Sequence, residues 1–244
     1  MSSTATFATF RRILTQLRHD PRAVALLIAM PTVLMVLLRF VLNSAQRFSG
    51  IAPALLGIFP FTIMFLITSI TTLRERTTGT LERLMTMPIG KLDLVFGYAL
   101  AFGLLAVVQV TVAVSVSLAW LGLAITGSMW TLLLITTLDA LLGTALGLFV
   151  SAFARTEFQA IQFMPVIVLP QFLLCGLFVP RGAMGWLLNA ASDVLPLSYA
   201  VDALTQVARS AEVDGVLLRN MLIVACCAVL ALVLGAATLR RRTP

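Results

Sequence analysis

The sequence predicts an all-α polytopic membrane protein with six membrane-crossing helices, and three observations carry that prediction. Of 244 residues, 60% are hydrophobic and only 11% charged, with a mean hydropathy of +1.03. Such a chain lacks the charged exterior of a water-soluble domain. Its apolar residues fall in runs of about 20, the length at which a helix matches the hydrocarbon layer of a bilayer. The runs are also continuous, whereas a transmembrane β-barrel needs short strands of alternating polarity.

The elements follow in order. Ahead of the first run, Phe7, Phe10, Leu14 and Leu17 recur at intervals of three and four, with Arg11, Arg12, Thr15 and Arg18 over much of the remaining surface. That pattern predicts an amphipathic helix within residues 1–22, lying in the membrane interface with its arginines near anionic lipid heads. A loosely ordered basic tail is the alternative. The opening residues are polar and the first apolar run is too long for a signal-peptide core, so no cleavable signal is expected. Spans are drawn at 23–42, 51–73, 94–121, 130–153, 158–179 and 216–239. Between the third and fourth, the short loop 125–129 carries no charge. Between the fifth and sixth, residues 180–215 mix Gly182, Gly185 and Pro196 with apolar pieces such as Met184-Gly185-Trp186-Leu187-Leu188. These pieces are too short to cross and too apolar for water, which predicts half-inserted extracellular helices.

Charge orients the bundle. Twelve positive residues face one way: Arg11, Arg12, Arg18, Arg22, Arg74, Arg76, Arg83, Lys91, Arg155 and Arg240 to Arg242. Five face the other: Arg39, Arg47, Arg181, Arg209 and Arg219. Cytoplasmic loops keep the positive excess, so both termini and segment 74–91 are expected in the cytoplasm. The net charge of +7 therefore reflects topology and points to no nucleic-acid partner. Arginine outnumbers lysine sixteen to one, which suggests a high-GC bacterial genome. Cys175, Cys226 and Cys227 all lie in apolar stretches and suit packing better than disulfides or metal ligation.

Catalysis finds no support. His19 is the only histidine and precedes the first span, so an intramembrane Ser-His dyad and a His-based zinc site are both excluded. Asp139 is the one acidic residue deep in a span, against a two-aspartate protease site. No phosphate-binding loop is present, and Gly90-Lys91-Leu92 does not supply one.

The segment between the second and third spans is the most polar stretch bracketed by membrane-length runs. Glu75 and Glu82 lie seven apart, so one helix would place them on a shared face beside Arg76 and Arg83. Gly79 permits a break into two short helices, and Pro88 limits continuation. Arg74-Glu75-Arg76, Gly79-Thr80-Leu81-Glu82, Leu84 and Pro88, with Gly97 in the following span, resemble the signature of type-2 ATP-binding-cassette exporter permeases, the group that includes the daunorubicin-exporter membrane subunit. Family members often carry a lysine after that last glycine, where this chain has Tyr98. A second block is similar to the family's fifth-span exit and outer loop. It comprises Cys175-Gly176-Leu177-Phe178-Val179-Pro180, Trp186-Leu187, and Leu195-Pro196-Leu197-Ser198-Tyr199-Ala200-Val201-Asp202-Ala203-Leu204.

The resemblance implies a single transmembrane permease domain over 1–244, not an enzyme, in a bacterial cytoplasmic membrane. It implies that Arg74, Glu75, Arg76, Gly79, Thr80, Leu81, Glu82, Leu84 and Pro88 receive the motion of an ATPase. ATP and Mg would be used by that cytosolic subunit, in two copies, beside a second permease subunit that is identical or related. This chain itself would bind no cofactor. The expected cargo is a hydrophobic or amphipathic drug or lipid, since few polar residues fall in the spans. A polysaccharide or glycolipid exporter is the alternative, though Trp120, Trp130 and Trp186 all lie toward the outer side. A non-transporting scaffold or immunity protein is a third reading.

Six residues are candidates for the translocation path: Asp139, Gln109, Gln162, Pro165, Pro170 and Gln171. Asp139 lies nine residues into its span, about 14 Å deep at the helical rise. An ionised carboxylate there costs about 2.5–3.5 kcal/mol, so it should face protein or water. It either contacts a cationic amphiphile in the path or bonds to Thr136 or Gln109. Pro165 and Pro170 remove backbone donors from the fifth span, and Gln162 and Gln171 stand near enough to satisfy the freed groups. That break is either a hinge lining the path or a static kink. Gly143 and Gly147 form a small-xxx-small pair, more often a packing contact within one subunit than a dimer face.

Overall fold

The structure, a computed structural model, describes residues 3–79 and 90–238. Its elements are α1 (Ser3–His19), α2 (Pro21–Leu42), α3 (Ala45–Thr77), α4 (Lys91–Ala119), α5 (Met129–Val150), α6 (Glu157–Leu174), a 3-10 turn (Arg181–Ala183), α7 (Trp186–Val194), α8 (Pro196–Arg209) and α9 (Gly215–Thr238). Six of these, α2 to α6 and α9, are long and apolar enough to cross a membrane. No strand occurs among the described residues.

Side chains at the boundaries explain where each helix begins. Asp20 accepts from the Ala23 amide at 3.1 Å while Pro21 occupies the first turn, so α2 starts directly after α1. Ser44 accepts from Arg47, Ser128 from Trp130, Thr156 from Gln159 and Asp214 from Leu217, and these open α3, α5, α6 and α9. Capping rather than apolarity therefore sets the ends, and three boundaries move from their expected places. The second span, expected at 51–73, belongs to a helix running from Ala45 to Thr77. Its 33 residues measure about 50 Å, well beyond a hydrocarbon layer of about 30 Å, so its charged tail leaves the apolar zone while still helical. The fifth helix, expected to 179, stops at Leu174 although the apolar run continues, because Gly176 turns the chain at φ +92°.

The centre of the bundle is the pair α3 and α5. Gly143 and Gly147 face α3 so closely that a Cβ on either would run into the carbonyl oxygens of Phe61 and Phe65. The small-residue pair is thus a contact within this chain. Around it stand α4, α8 and α9, while α2 and α6 lie outside with most of their apolar surface uncovered. In lipid such surface needs no protein cover.

α1 is a helix, as its periodicity predicts, and Phe10, Leu14 and Leu17 of the apolar stripe pack against the bundle. Thr9 and Ile13 are buried against the bundle, with Thr9 lying over Gly97 of α4. Phe7, which heads the predicted apolar stripe, is 63% exposed. At the opposite end of the bundle, α8 buries Leu197, Val201, Leu204 and Val207 against its neighbours. Its last carbonyls are closed by the loop before α5: the Thr126 amide donates to Ala208 at 3.0 Å and the Gly127 amide to Val207 at 2.9 Å. Arg39 at the end of α2 donates to the Leu121 carbonyl at 3.0 Å, tying the outer helix to the same corner.

Candidate functional site

The candidate coupling segment begins in the last turn of α3. The Arg74 carbonyl accepts from the Thr78 amide and from the Thr77 and Thr78 hydroxyls, which closes the helix. Gly79 then adopts φ +72°, a left-handed conformation favourable only to glycine. The helix that carries Glu75 has therefore ended by Gly79. Thr80, Leu81, Glu82, Leu84 and Pro88 lie outside the described residues.

The three charges of the turn separate. Arg74 is exposed and bidentate to Glu157 in the first turn of α6, at 2.9 and 3.2 Å. Glu75 instead points inward and is buried. Its Oε2 accepts from Arg12 of α1 at 2.8 Å and from the Tyr98 hydroxyl of α4. Arg12 also donates to Tyr98 at 2.8 Å, with its guanidinium 5.7 Å from the ring centroid. Arg76 is half-buried beside Thr72, Leu94 and Tyr98, and its Nε has no hydrogen-bond partner among the described residues. Glu75 was expected on a water-facing docking surface; its carboxylate is instead the knot joining α1, α3 and α4. A buried carboxylate is tolerable only when paired and hydrogen-bonded, and here both conditions are met.

The six path candidates do not come together. Asp139 is fully buried in α5 beside Gly57 of α3 and Leu204 of α8, and neither carboxylate oxygen has a partner among the described residues. The hydrogen bonds expected to satisfy it are made elsewhere. Thr136 donates to the Leu132 carbonyl at 2.8 Å and Gln109 to the Leu27 carbonyl at 2.9 Å. Gln171 is also buried; it donates to the Ile167 carbonyl at 3.2 Å and accepts from the Leu197 amide at 3.4 Å. It thus ties α6 to the start of α8 and leaves the Val166 carbonyl freed by Pro170 untouched. Gln162, Pro165 and Pro170 lie on the uncovered side of α6.

A second charged cluster, absent from the sequence reading, forms at the far end. Arg181 donates to Asp202 of α8 at 2.5 Å and to Asp193 of α7, and lies 5.0 Å from the Tyr199 ring centroid. The Tyr199 hydroxyl donates to the Asp193 carbonyl, and Ser192 to Leu174 at the end of α6. Burial works against the Arg181 charge, but Asp202 and Asp193 outweigh it and raise its pKa. Burial likewise pushes the Asp202 carboxyl up, even against the pull of Arg181. The cluster locks both short helices to the exit of α6. Its members stand 12 and 21 residues apart in the chain, and no periodic signal joins them.

Among the described residues no cluster of His, Cys, Asp and Glu could hold a metal ion. What the arrangement offers is mechanical: one charged helix end bonded to α1 on one side and to α6 on the other.

Residues 4–208 match the family described as ABC-2 type transporter. The probable multidrug ABC transporter permease YbhS of Escherichia coli (strain K12) is 26% identical over 181 residues, covering 74% of this chain and 48% of that protein. ABC transporter G family member 20 of Dictyostelium discoideum is 27% identical over 157 residues, covering 64% of this chain and 22% of its own length. The linearmycin resistance permease protein LnrN of Bacillus subtilis (strain 168) is 24% identical over 163 residues, covering 64% and 42%. The chain spans less than half the length of each of these relatives.

Proposed function

Because the chain belongs to the ABC-2 type transporter family, we propose that it is the membrane-spanning subunit of an ATP-driven exporter, carrying a hydrophobic or amphipathic drug or lipid out of the cytoplasm or inner leaflet. The ATPase is a separate cytosolic subunit in two copies, which uses ATP and Mg. A second permease subunit, identical or related, completes the unit in a bacterial cytoplasmic membrane, with both termini and segment 74–91 inside. The relatives named as multidrug and linearmycin resistance permeases support the cargo class.

One observation carries the coupling: the end of α3 is bonded both to α1 and to α6. Force applied to the segment after Thr77 therefore reaches the interfacial helix through Glu75 and the fifth span through Arg74. The uncovered side of α6, with Gln162, Pro165 and Pro170, faces the second permease and lines the path; a glutamine against lipid would be costly. Asp139 and Gln171 join that path only when α8 withdraws, since both are sealed in the described conformation, whereas Gln109 is held against α2, away from α6.

The test is reconstitution with the ATPase in vesicles and ATP-driven uptake of a fluorescent amphiphile. Arg74→Glu should abolish uptake, and adding Glu157→Arg should restore it, with membrane insertion unchanged throughout. Coupled uptake that survives a scrambled 79–88 segment in a folded permease refutes the proposal.

A further inference from the structure

We propose that the groove between α1, α2 and the last turns of α3 binds a single-tailed cationic amphiphile drawn from the inner leaflet. This deepens the export reading by naming a class of cargo and its point of entry. A cavity of about 530 Å³ opens there, within the size range of about 300–1,000 Å³ common to small-molecule sites. Its floor is apolar, made by Ile13, Leu17, Val24, Leu27, Ile67 and Ile70. Leu26, 63% exposed, stands at its lipid-facing side. An apolar cavity of this kind excludes water, and beside lipid its natural filling is a hydrocarbon chain. A volume of about 530 Å³ with these apolar walls accommodates one hydrocarbon tail of ordinary length rather than two.

The rim selects the headgroup. Gln16, Asp20, Thr71, Arg74 and Glu75 border the opening. Two of these charges are already matched, Glu75 by Arg12 and Arg74 by Glu157. Asp20 enters no salt bridge among the described residues; one of its oxygens caps α2 at the Ala23 amide. Asp20 is also within the electrostatic reach of Arg74, and among the residues lining the groove Asp20, Arg74 and Glu75 sum to one negative charge. An ammonium head completes it, with Gln16 and Thr71 as further polar contacts, whereas a carboxylate or phosphate head is repelled. The groove also touches both Arg74 and Glu75, so its occupant lies against the same turn that receives the ATPase's motion.

Binding is measured on the full chain in nanodiscs of zwitterionic lipid, without ATPase or ATP, by electron spin resonance. The probes are a spin-labelled long-chain alkylammonium, the matching carboxylate and the matching neutral alcohol. The ammonium should give a motionally restricted signal, with a preference of about two- to five-fold over the alcohol, the scale of an exposed ion pair. Asp20→Asn keeps the helix cap and should erase the preference while the tail still binds. Ile70→Trp fills the groove and should remove the restricted signal for all three probes. Equal binding of the three heads, a preference that survives Asp20→Asn, or a restricted signal that persists in folded Ile70→Trp overturns the proposal. Loss of ATP-driven uptake with this binding intact would instead count against the export reading alone.

Discussion

Replacing Arg12 with methionine strips Glu75 of its cation while keeping the apolar stem that packs along α4. Breaking a buried ion pair by removing one partner costs about 3–5 kcal/mol. The Arg12 side chain is 25% exposed and that of Glu75 is 9% exposed, so the pair is only partly removed from water. Tyr98 also continues to donate, and a hydrogen bond to a charged group is worth about 1.5–3 kcal/mol. These reductions leave a loss of about 2 kcal/mol. For a chain of this length that lowers the unfolding midpoint by about 4–8 °C, readable as loss of the folded peak in detergent size-exclusion after heating. Glu75→Gln removes the charge but keeps the hydrogen-bonding shape, and should cost less than about 1 kcal/mol. The double variant carries no stranded carboxylate and should regain most of the loss, giving a coupling of about 1–2 kcal/mol. Single effects that simply add would refute the knot as a bonded unit.

Other expectations follow from the same geometry. Gly143→Ala drives a Cβ into the Phe61 carbonyl and should destabilise by about 1–3 kcal/mol, seen as a lowered midpoint; an unchanged midpoint contradicts the close α3–α5 contact. Asp139→Asn should insert and fold normally yet lower export of cationic substrates, and unchanged export of every tested cation removes Asp139 from the path. Arg181→Met leaves Asp193 and Asp202 facing each other without their cation, so α7 should loosen and limited proteolysis from the outer side should cut near 184–195.

The sequence announced the spans because twenty apolar residues have one stable use in a chain this poor in charge. It announced the ends less well. Ser44 begins α3 ahead of the polar pair Gln46 and Arg47, where no apolar signal starts, and Gly176 ends the fifth helix within an apolar run. The coupling segment stood out as polarity between spans, yet the partners of Glu75 lie 63 and 23 residues away and left no local mark. Arg12 was legible only as one arginine among several on a basic helix face. Tyr98 was legible only as a departure from the family's lysine, and its phenol donates to the Glu75 carboxylate. Asp139 was rightly expected to avoid lipid, but periodicity gave no hint that α8 would cover it.

The amides of Thr126 and Gly127 imply an order of assembly. Translation makes that loop long before the carbonyls of Val207 and Ala208. The late hairpin therefore arrives at a prepared berth, and shortening that berth should leave nascent chains stalled with five spans made and the sixth still searching.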